Sequence, residues 1–286
     1  MVEERRDGSD VLLRAAFTAA VPAHRIGLTG SPGAGKSTLT DRLITKIRAA
    51  GESVGVLAVD PTSPFSGGAV LGDRVRMQDH VLDGGVFIRS MASRGHLGGL
   101  SEGAPKALIA METAGFDRIL IETVGVGQDE VEVTSAADTV VVVLTAGWGD
   151  GVQAAKAGIL EIGDVFAVNK ADRPGASDTS ADLRAMLALG GHLDWDPPIV
   201  ETVASTGSGI DELWDAIAAH QAHLGDTGLE AGRRVRRRDE LITALAARIR
   251  QRARAALDDG EGALLAAAVE SGESDPWTAA ERLAGF

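Results

Sequence analysis

The chain has no cysteine, which excludes disulfides, thiolate metal sites and cysteine nucleophiles. It also lacks a basic surplus. Its 28 lysines and arginines stand against 41 aspartates and glutamates, a formal net charge of −13. A general nucleic-acid binder needs a basic surface to displace counterions, so that class is set aside. No uninterrupted apolar run approaches the roughly 20 residues needed to cross a bilayer, so no membrane association is expected. The N-terminus, MVEERRDGSD, opens on charge without the apolar stretch of a secretory signal, and a cytoplasmic location is expected. Histidines are few, six in all and scattered. His220 and His223 have a spacing that suits a metal, but with no further ligand nearby they read as a solvated helix face.

What is present is an ordinary globular composition, 44% apolar and 24% charged over 286 residues. That length suits one large α/β domain, or one domain with an extension. Residues Val11–Ala20 read as a short amphipathic helix ended before Pro22. From Ile26 onward short apolar runs alternate with helical stretches. The runs are Ile26–Thr29, Val54–Val59, Val86–Ser90, Arg118–Glu122, Val140–Thr145, Val165–Asn169 and Ile199–Val203. Between them lie Ser37–Ala50, Ala104–Ala114, Ala154–Ile162 and Thr179–Leu189. Apolar strands separated by helices predict a mainly parallel sheet with helices on both faces. Sites in such sheets lie at the carboxyl ends of the strands.

Three segments follow from this reading: a short N-terminal helical extension (1–25), a nucleotide-binding domain (26–224) and an all-helical arm (225–286). The arm begins with GDTGLEAG, read as a loop, and carries nine arginines between Arg233 and Arg254. On so acidic a protein the run Arg233–Arg238 reads as solvated or as a patch for an acidic partner. Leu241, Leu245 and Ile249, with Ile242 beside them, form a helical stripe. A second helix is expected near Glu261. Asp275-Pro276 opens a third, with Asp as N-cap and Pro at the first helical position. Trp277 is expected to anchor the arm by packing. With so few large apolar residues the arm has no core of its own, and a homodimer through its exposed stripe is expected.

The chemistry is carried by Gly30-Ser31-Pro32-Gly33-Ala34-Gly35-Lys36-Ser37, a full G-x-x-x-x-G-K-[ST] with Thr38 following. Its glycines let successive backbone N–H groups turn toward a phosphate at the positive end of a helix. Lys36 would neutralise β- and γ-phosphate oxygens and the Ser37 hydroxyl would ligate Mg²⁺. Mg²⁺ needs further oxygen ligands. Asp60 and Glu122 at strand ends, and Asp73 in a glycine-rich loop, are the candidates. Asn169-Lys170-Ala171-Asp172 fits N-K-x-D behind another strand. One carboxylate, Asp172, can accept from both N1–H and the 2-amino group of guanine, a donor pair that adenine lacks. Asn169 would orient the loop and touch N7, and the stem of Lys170 would lie over the base. Together these motifs predict a GTP-hydrolysing enzyme, with GTP as substrate and GDP as product.

These residues resemble the G3E-type GTPases and, within them, the methylmalonyl-CoA-mutase-associated chaperones of the MeaB/ArgK type. The resemblance is carried by Thr29–Thr38, Val59-Asp-Pro-Thr-Ser-Pro64, Gly67-Gly68, Leu71-Gly-Asp-Arg-Val-Arg-Met77 and Ile121-Glu-Thr-Val-Gly-Val-Gly-Gln128. Glu122 stands where most GTPases have the Asp of D-x-x-G, and Gly125 closes that motif among the nucleotide-binding residues. The match runs from about Ile26 to Ile217 and returns in Asp275–Ala280. It implies Ser37, Asp60, Asp73 and Glu122 on the Mg²⁺ side, and the P-loop and Glu122 strands adjacent. It also implies a mobile loop over Thr145–Lys156, with Lys156 approaching the nucleotide when a partner is bound. The implied partner is an adenosylcobalamin-dependent acyl-CoA mutase, whose cofactor belongs to the mutase and not to this chain. Two departures stand out. Only about 25 residues precede the P-loop, and the guanine-contact segment reads Thr202-Val-Ala-Ser205, with Val203 in place of a serine. Ala204 still offers its backbone N–H to guanine O6. Two other functions share parts of the pattern. A nickel metallochaperone of the same class normally carries His-rich or Cys-containing motifs, and a kinase in amino-acid transport needs a phosphoacceptor site that is not found here.

Overall fold

The computed structural model describes residues 15–60, 77–80, 82–92, 103–123, 133, 135–147, 158, 160–189, 194–258 and 260–284; for Asp60, Gln78, Ala92 and Ala284 it describes the backbone alone. Seven strands form one sheet: β1 (His24–Gly30), β2 (Val54–Asp60), β3 (Val86–Ala92), β4 (Arg118–Thr123), β5 (Thr139–Thr145), β6 (Val165–Asn169) and β7 (Ile199–Thr202). Their order is β3-β2-β4-β1-β5-β6-β7 and all pairings are parallel. Every apolar run of the sequence became one of these strands. The reason is burial on both faces, which lets whole segments such as Val140–Leu144 be apolar without alternation. As the resemblance implied, β4 lies against β1, with Leu28 in register with Glu122.

Helices cover the two faces. On one side α1 (Lys36–Ala49) buries Leu39, Leu43, Ile44 and Ile47 against Ile26, Leu28, Val141 and Val143. On the other, α2 (Ala104–Thr113) and α3 (Ala176–Leu189) contribute Leu108, Met111 and Leu183 to a cluster with Ile119, Ile121 and Val142. Leucines buried this completely contribute about 1.5–3 kcal/mol each, so α1 is fixed on the sheet by its apolar stripe. Its N-terminus is thereby fixed as well, and that end carries Lys36 and Ser37.

The amino ends of the strands are tied by side chains. His24 Nε2 and His220 Nδ1 each lie 2.9 Å from the Thr139 hydroxyl, and His220 Nε2 lies 3.4 Å from Asp164 Oδ1. Arg118 Nη1 donates to His24 Nδ1 at 3.1 Å and its remaining nitrogens pair with Glu52. Because Arg118 can only donate, neutral imidazoles set the direction of the chain: Arg118 to His24, His24 to Thr139, Thr139 to His220, whose Nε2 faces Asp164. His220 is therefore a buried, bonded histidine, which corrects the solvated-face reading. Its side chain turns inward beside Trp195, whose ring centroid is 5.1 Å away.

The chain divides into two compact units, 1–232 and 233–286. The division falls inside α4 (Ile210–Leu257), which is broken at Gly225 (φ 54°, ψ −177°) and otherwise helical. GDTGLEAG is thus a kink followed by helix rather than a loop. Leu229 is buried in that helix, in which each glycine costs roughly 1 kcal/mol. In the second unit α5 (Gly260–Glu270) contacts α6 (Pro276–Ala284). Asp275 caps α6 as expected, its Oδ1 accepting from Trp277 and Thr278 N–H at 3.0 and 2.9 Å. Those bonds hold its carboxyl below the usual carboxylate range, the Thr278 N–H first. Leu241, Leu245 and Ile249 are exposed, and Trp277 is 76% exposed, where the sequence predicts packing within the arm. Among the described residues no helix is long and apolar enough to cross a membrane.

Candidate nucleotide site

The strand order β4-β1-β5-β6 brings the carboxyl ends carrying Glu122, the glycine-rich loop and Asn169 to one edge of the sheet. The loop between β1 and α1 cannot be built from ordinary residues. At Gly30 (φ 128°) a Cβ would lie 2.1 Å from the Val143 carbonyl oxygen, and at Gly35 (φ 98°) 2.3 Å from Asn169 Nδ2. These are close approaches of backbone to a neighbouring strand and of a side chain to the loop. Lys36 is buried and its Nζ donates to the carbonyls of Gly30 (2.6 Å) and Ser31 (3.0 Å). Ser37 Oγ donates to Glu122 Oε1 at 2.5 Å. A buried hydroxyl, a buried carboxylate and a buried ammonium thus meet at the positive end of α1.

On the other flank Asn169 stitches three segments together. Its Nδ2 donates to Ala34 O at 2.8 Å, while its Oδ1 accepts from Thr202 Oγ1 (3.2 Å) and Ala204 N–H (3.1 Å). Lys170 takes a left-handed backbone (φ 60°) and its Nζ reaches Gly33 O at 2.6 Å. A lysine in that conformation is strained, and such strain concentrates at functional sites. The Asp172 carboxylate is exposed.

The structure therefore brings together the expected Gly30, Pro32, Gly33, Ala34, Gly35, Lys36, Ser37, Thr38, Glu122, Asn169, Lys170, Asp172 and Ala204 at one end of the sheet. One detail differs from expectation: the Ala204 N–H is donated to Asn169, so a base oxygen would share or displace that bond. The side chain of Asp60, and Asp73, Gly125 and Lys156, lie outside the described residues. Sequence reading passed over Arg42, whose Nε and Nη2 donate to the Ala204 and Ser205 carbonyls at 2.9 and 3.0 Å. No motif contains it. A charged residue on the polar face of a helix gives no signal until the loop it reaches is placed.

Residues 1–258 match the family described as methylmalonyl-CoA mutase-associated GTPase MeaB. The chain belongs to the MeaB family. A protein of Pyrococcus horikoshii named as a GTPase is 47% identical over 98% of this chain and 90% of its own length. The Mus musculus methylmalonic aciduria type A homolog is 37% identical over 73% of this chain and 52% of its own. A crystal structure of an LAO/AO transport system kinase superposes with a TM-score of 0.72 at 26% identity, covering 100% of this chain and 90% of that one. Membership of the MeaB family, with a P-loop fold and relatives named as GTPases, makes this chain a GTP-binding, GTP-hydrolysing enzyme.

Proposed function

We propose that this MeaB-family chain is a GTP-hydrolysing chaperone for an adenosylcobalamin-dependent acyl-CoA mutase. It gates loading of the mutase's cofactor and protects or reactivates the enzyme. The client is methylmalonyl-CoA mutase or a relative. The family description and the mouse relative's name support the client. The Ser37–Glu122 contact supports the nucleotide half of the reading most directly, because it couples the phosphate loop to the strand that leads into Val124–Gln128. A segment attached there can take different shapes with and without a γ-phosphate, which is how GTPases turn hydrolysis into a signal.

In this reading the backbone N–H groups of residues 33–37 hold the β-phosphate, and Lys36 leaves the Gly30 and Ser31 carbonyls for β- and γ-oxygens. The adjoining Ser37 hydroxyl and Glu122 carboxylate are hard oxygens of the kind Mg²⁺ takes, so the site fits that ion, with Asp60 and Asp73 completing the candidate set. When bound, Mg²⁺ neutralises charge on the phosphate oxygens. Asp172 reads the guanine N1–H and 2-amino group, Asn169 holds the loop, and Ala204 N–H meets O6. Lys156 approaches the leaving group when the mutase is bound, adding positive charge where negative charge develops. The exposed Leu241, Leu245, Ile249 and Trp277 support a homodimer through the arm.

The test is GTP turnover with and without each candidate mutase, with adenosylcobalamin transfer followed in GTP, GDP and a non-hydrolysable analogue. Stimulated turnover and nucleotide-dependent transfer are expected. If no mutase alters turnover, or loading ignores the nucleotide, the chaperone reading fails. Light scattering of the same preparation reads the dimer.

A further inference from the structure

Ala204 is held from both sides. Its N–H donates to Asn169 Oδ1 at 3.1 Å, and its carbonyl accepts from Arg42 Nε at 2.9 Å. Arg42 Nη2 takes the next carbonyl, Ser205, at 3.0 Å. The loop is also closed on itself: Val203 N–H donates to Ser208 O at 2.9 Å, and the Thr206 and Gly207 N–H groups to Val203 O at 3.0 Å. Valine at position 203 has no hydroxyl to give, and within the loop the Thr206 hydroxyl donates to Val203 O at 3.1 Å. The guanidinium approaches from outside, from the second turn of the helix that starts at Lys36 and Ser37. A planar fork that engages two successive carbonyls fixes both peptide planes, which a flexible ammonium cannot do.

We propose that Arg42 is a positioning residue for base recognition, which fixes the Ala204–Ser205 backbone so that the Ala204 N–H meets a purine 6-oxo group. The inference rests on the guanine-site reading given above and adds to it. Asp172 discriminates through the 2-amino group and N1–H, whereas Arg42 acts only through the 6-oxo group.

That division gives the test. Binding of GDP, IDP and ADP is measured by calorimetry for the full chain, Arg42→Ala and Arg42→Lys, with melting temperatures alongside. IDP keeps the 6-oxo group and lacks the 2-amino group; ADP lacks both. Arg42→Ala is expected to weaken GDP and IDP alike by about tenfold, the worth of one well-placed hydrogen bond. The GDP-to-IDP ratio should stay as in the unaltered chain and ADP should change less than twofold. Steady-state GTP turnover should show the loss mainly in KM. Arg42→Lys, able to reach one carbonyl at a time, should fall between the two, and it keeps the test valid if Arg42→Ala does not fold. Equal weakening of ADP and GDP, or GDP affinity within twofold of the unaltered chain, overturns the proposal. If the unaltered chain binds ADP as tightly as GDP, the base-site reading fails first and Arg42 loses its role with it.

Discussion

The two ends of the sheet use polar residues in opposite ways. At the amino ends, side chains bond to side chains: Arg118, His24, Thr139 and His220 form one chain across β4, β1, β5 and α4, with Asp164, just before β6, 3.4 Å from His220 Nε2. At the carboxyl ends, side chains bond mainly to backbone. Lys36 and Lys170 donate to loop carbonyls, Asn169 to Ala34, and Arg42 to Ala204 and Ser205. Bonds of the first kind have fixed partners on rigid elements and are suited to permanence. Those of the second kind engage loops whose carbonyls and N–H groups a nucleotide can also address. The left-handed Gly30, Gly33, Gly35 and Lys170 lie in those loops. The comparison teaches that burial alone does not mark function. Lys36 and His220 are equally buried, and what separates them is whether the partner is exchangeable.

Substitutions at the two ends should accordingly differ in what they change. The largest effect is expected from Glu122→Gln, which keeps the shape of the Ser37 contact and removes a negative charge from the phosphate side. Turnover should fall about 100-fold or more, with GDP affinity within about tenfold. Normal GTP hydrolysis by that variant would break the comparison, because Glu122 would then be a structural group like those at the amino end.

His220→Gln should do the reverse, leaving GTP affinity and turnover within about twofold while lowering stability by about 1–3 kcal/mol at neutral pH. Burial pushes the imidazole down to about 4, with His223 adding to the shift. The unfolded chain takes up a proton near pH 6.5 and the folded chain does so only near 4. The unaltered protein therefore loses stability as pH falls through that window, and the variant lacks this loss. Denaturant titrations at several pH values should show the gap between them narrowing by up to about 3 kcal/mol on acidification. Asp164 works in the other direction, since burial raises its carboxyl to about 6. Its neutral form is favoured in the folded chain, so between its unfolded value near 3.8 and about 6 it costs stability as pH rises. A gap that is constant with pH would contradict the buried, neutral assignment.

Much of this was legible in the sequence for a physical reason. Strands buried on both faces must be apolar throughout, so Val140–Leu144 and Val165–Val168 announce themselves. The phosphate loop is legible because its glycines and Lys36 are dictated locally by the ligand. What stayed hidden depends on tertiary placement. His220 lies on a helix of mixed composition, and only the packing of that helix against Thr139 and Asp164 turns it inward. Arg42 looks like any solvated helix charge until β7 and the loop after it are brought beside α1. GDTGLEAG carries three glycines and reads as a break, yet all of it but Gly225 is helical, with Leu229 buried. Trp277, the residue most expected to pack, is exposed.

The central claim is that the carboxyl end of this sheet reads a guanine base through Asp172. Calorimetric titration of Asp172→Asn with GDP and XDP, beside the unaltered chain, tests it most directly. Each hydrogen bond to a charged acceptor contributes about 1.5–3 kcal/mol, so losing the pair should weaken GDP by at least ~100-fold. The amide should at the same time improve XDP, whose 2-oxo group accepts where guanine donates. A variant that binds GDP as the unaltered chain does, with no gain for XDP, would contradict the account.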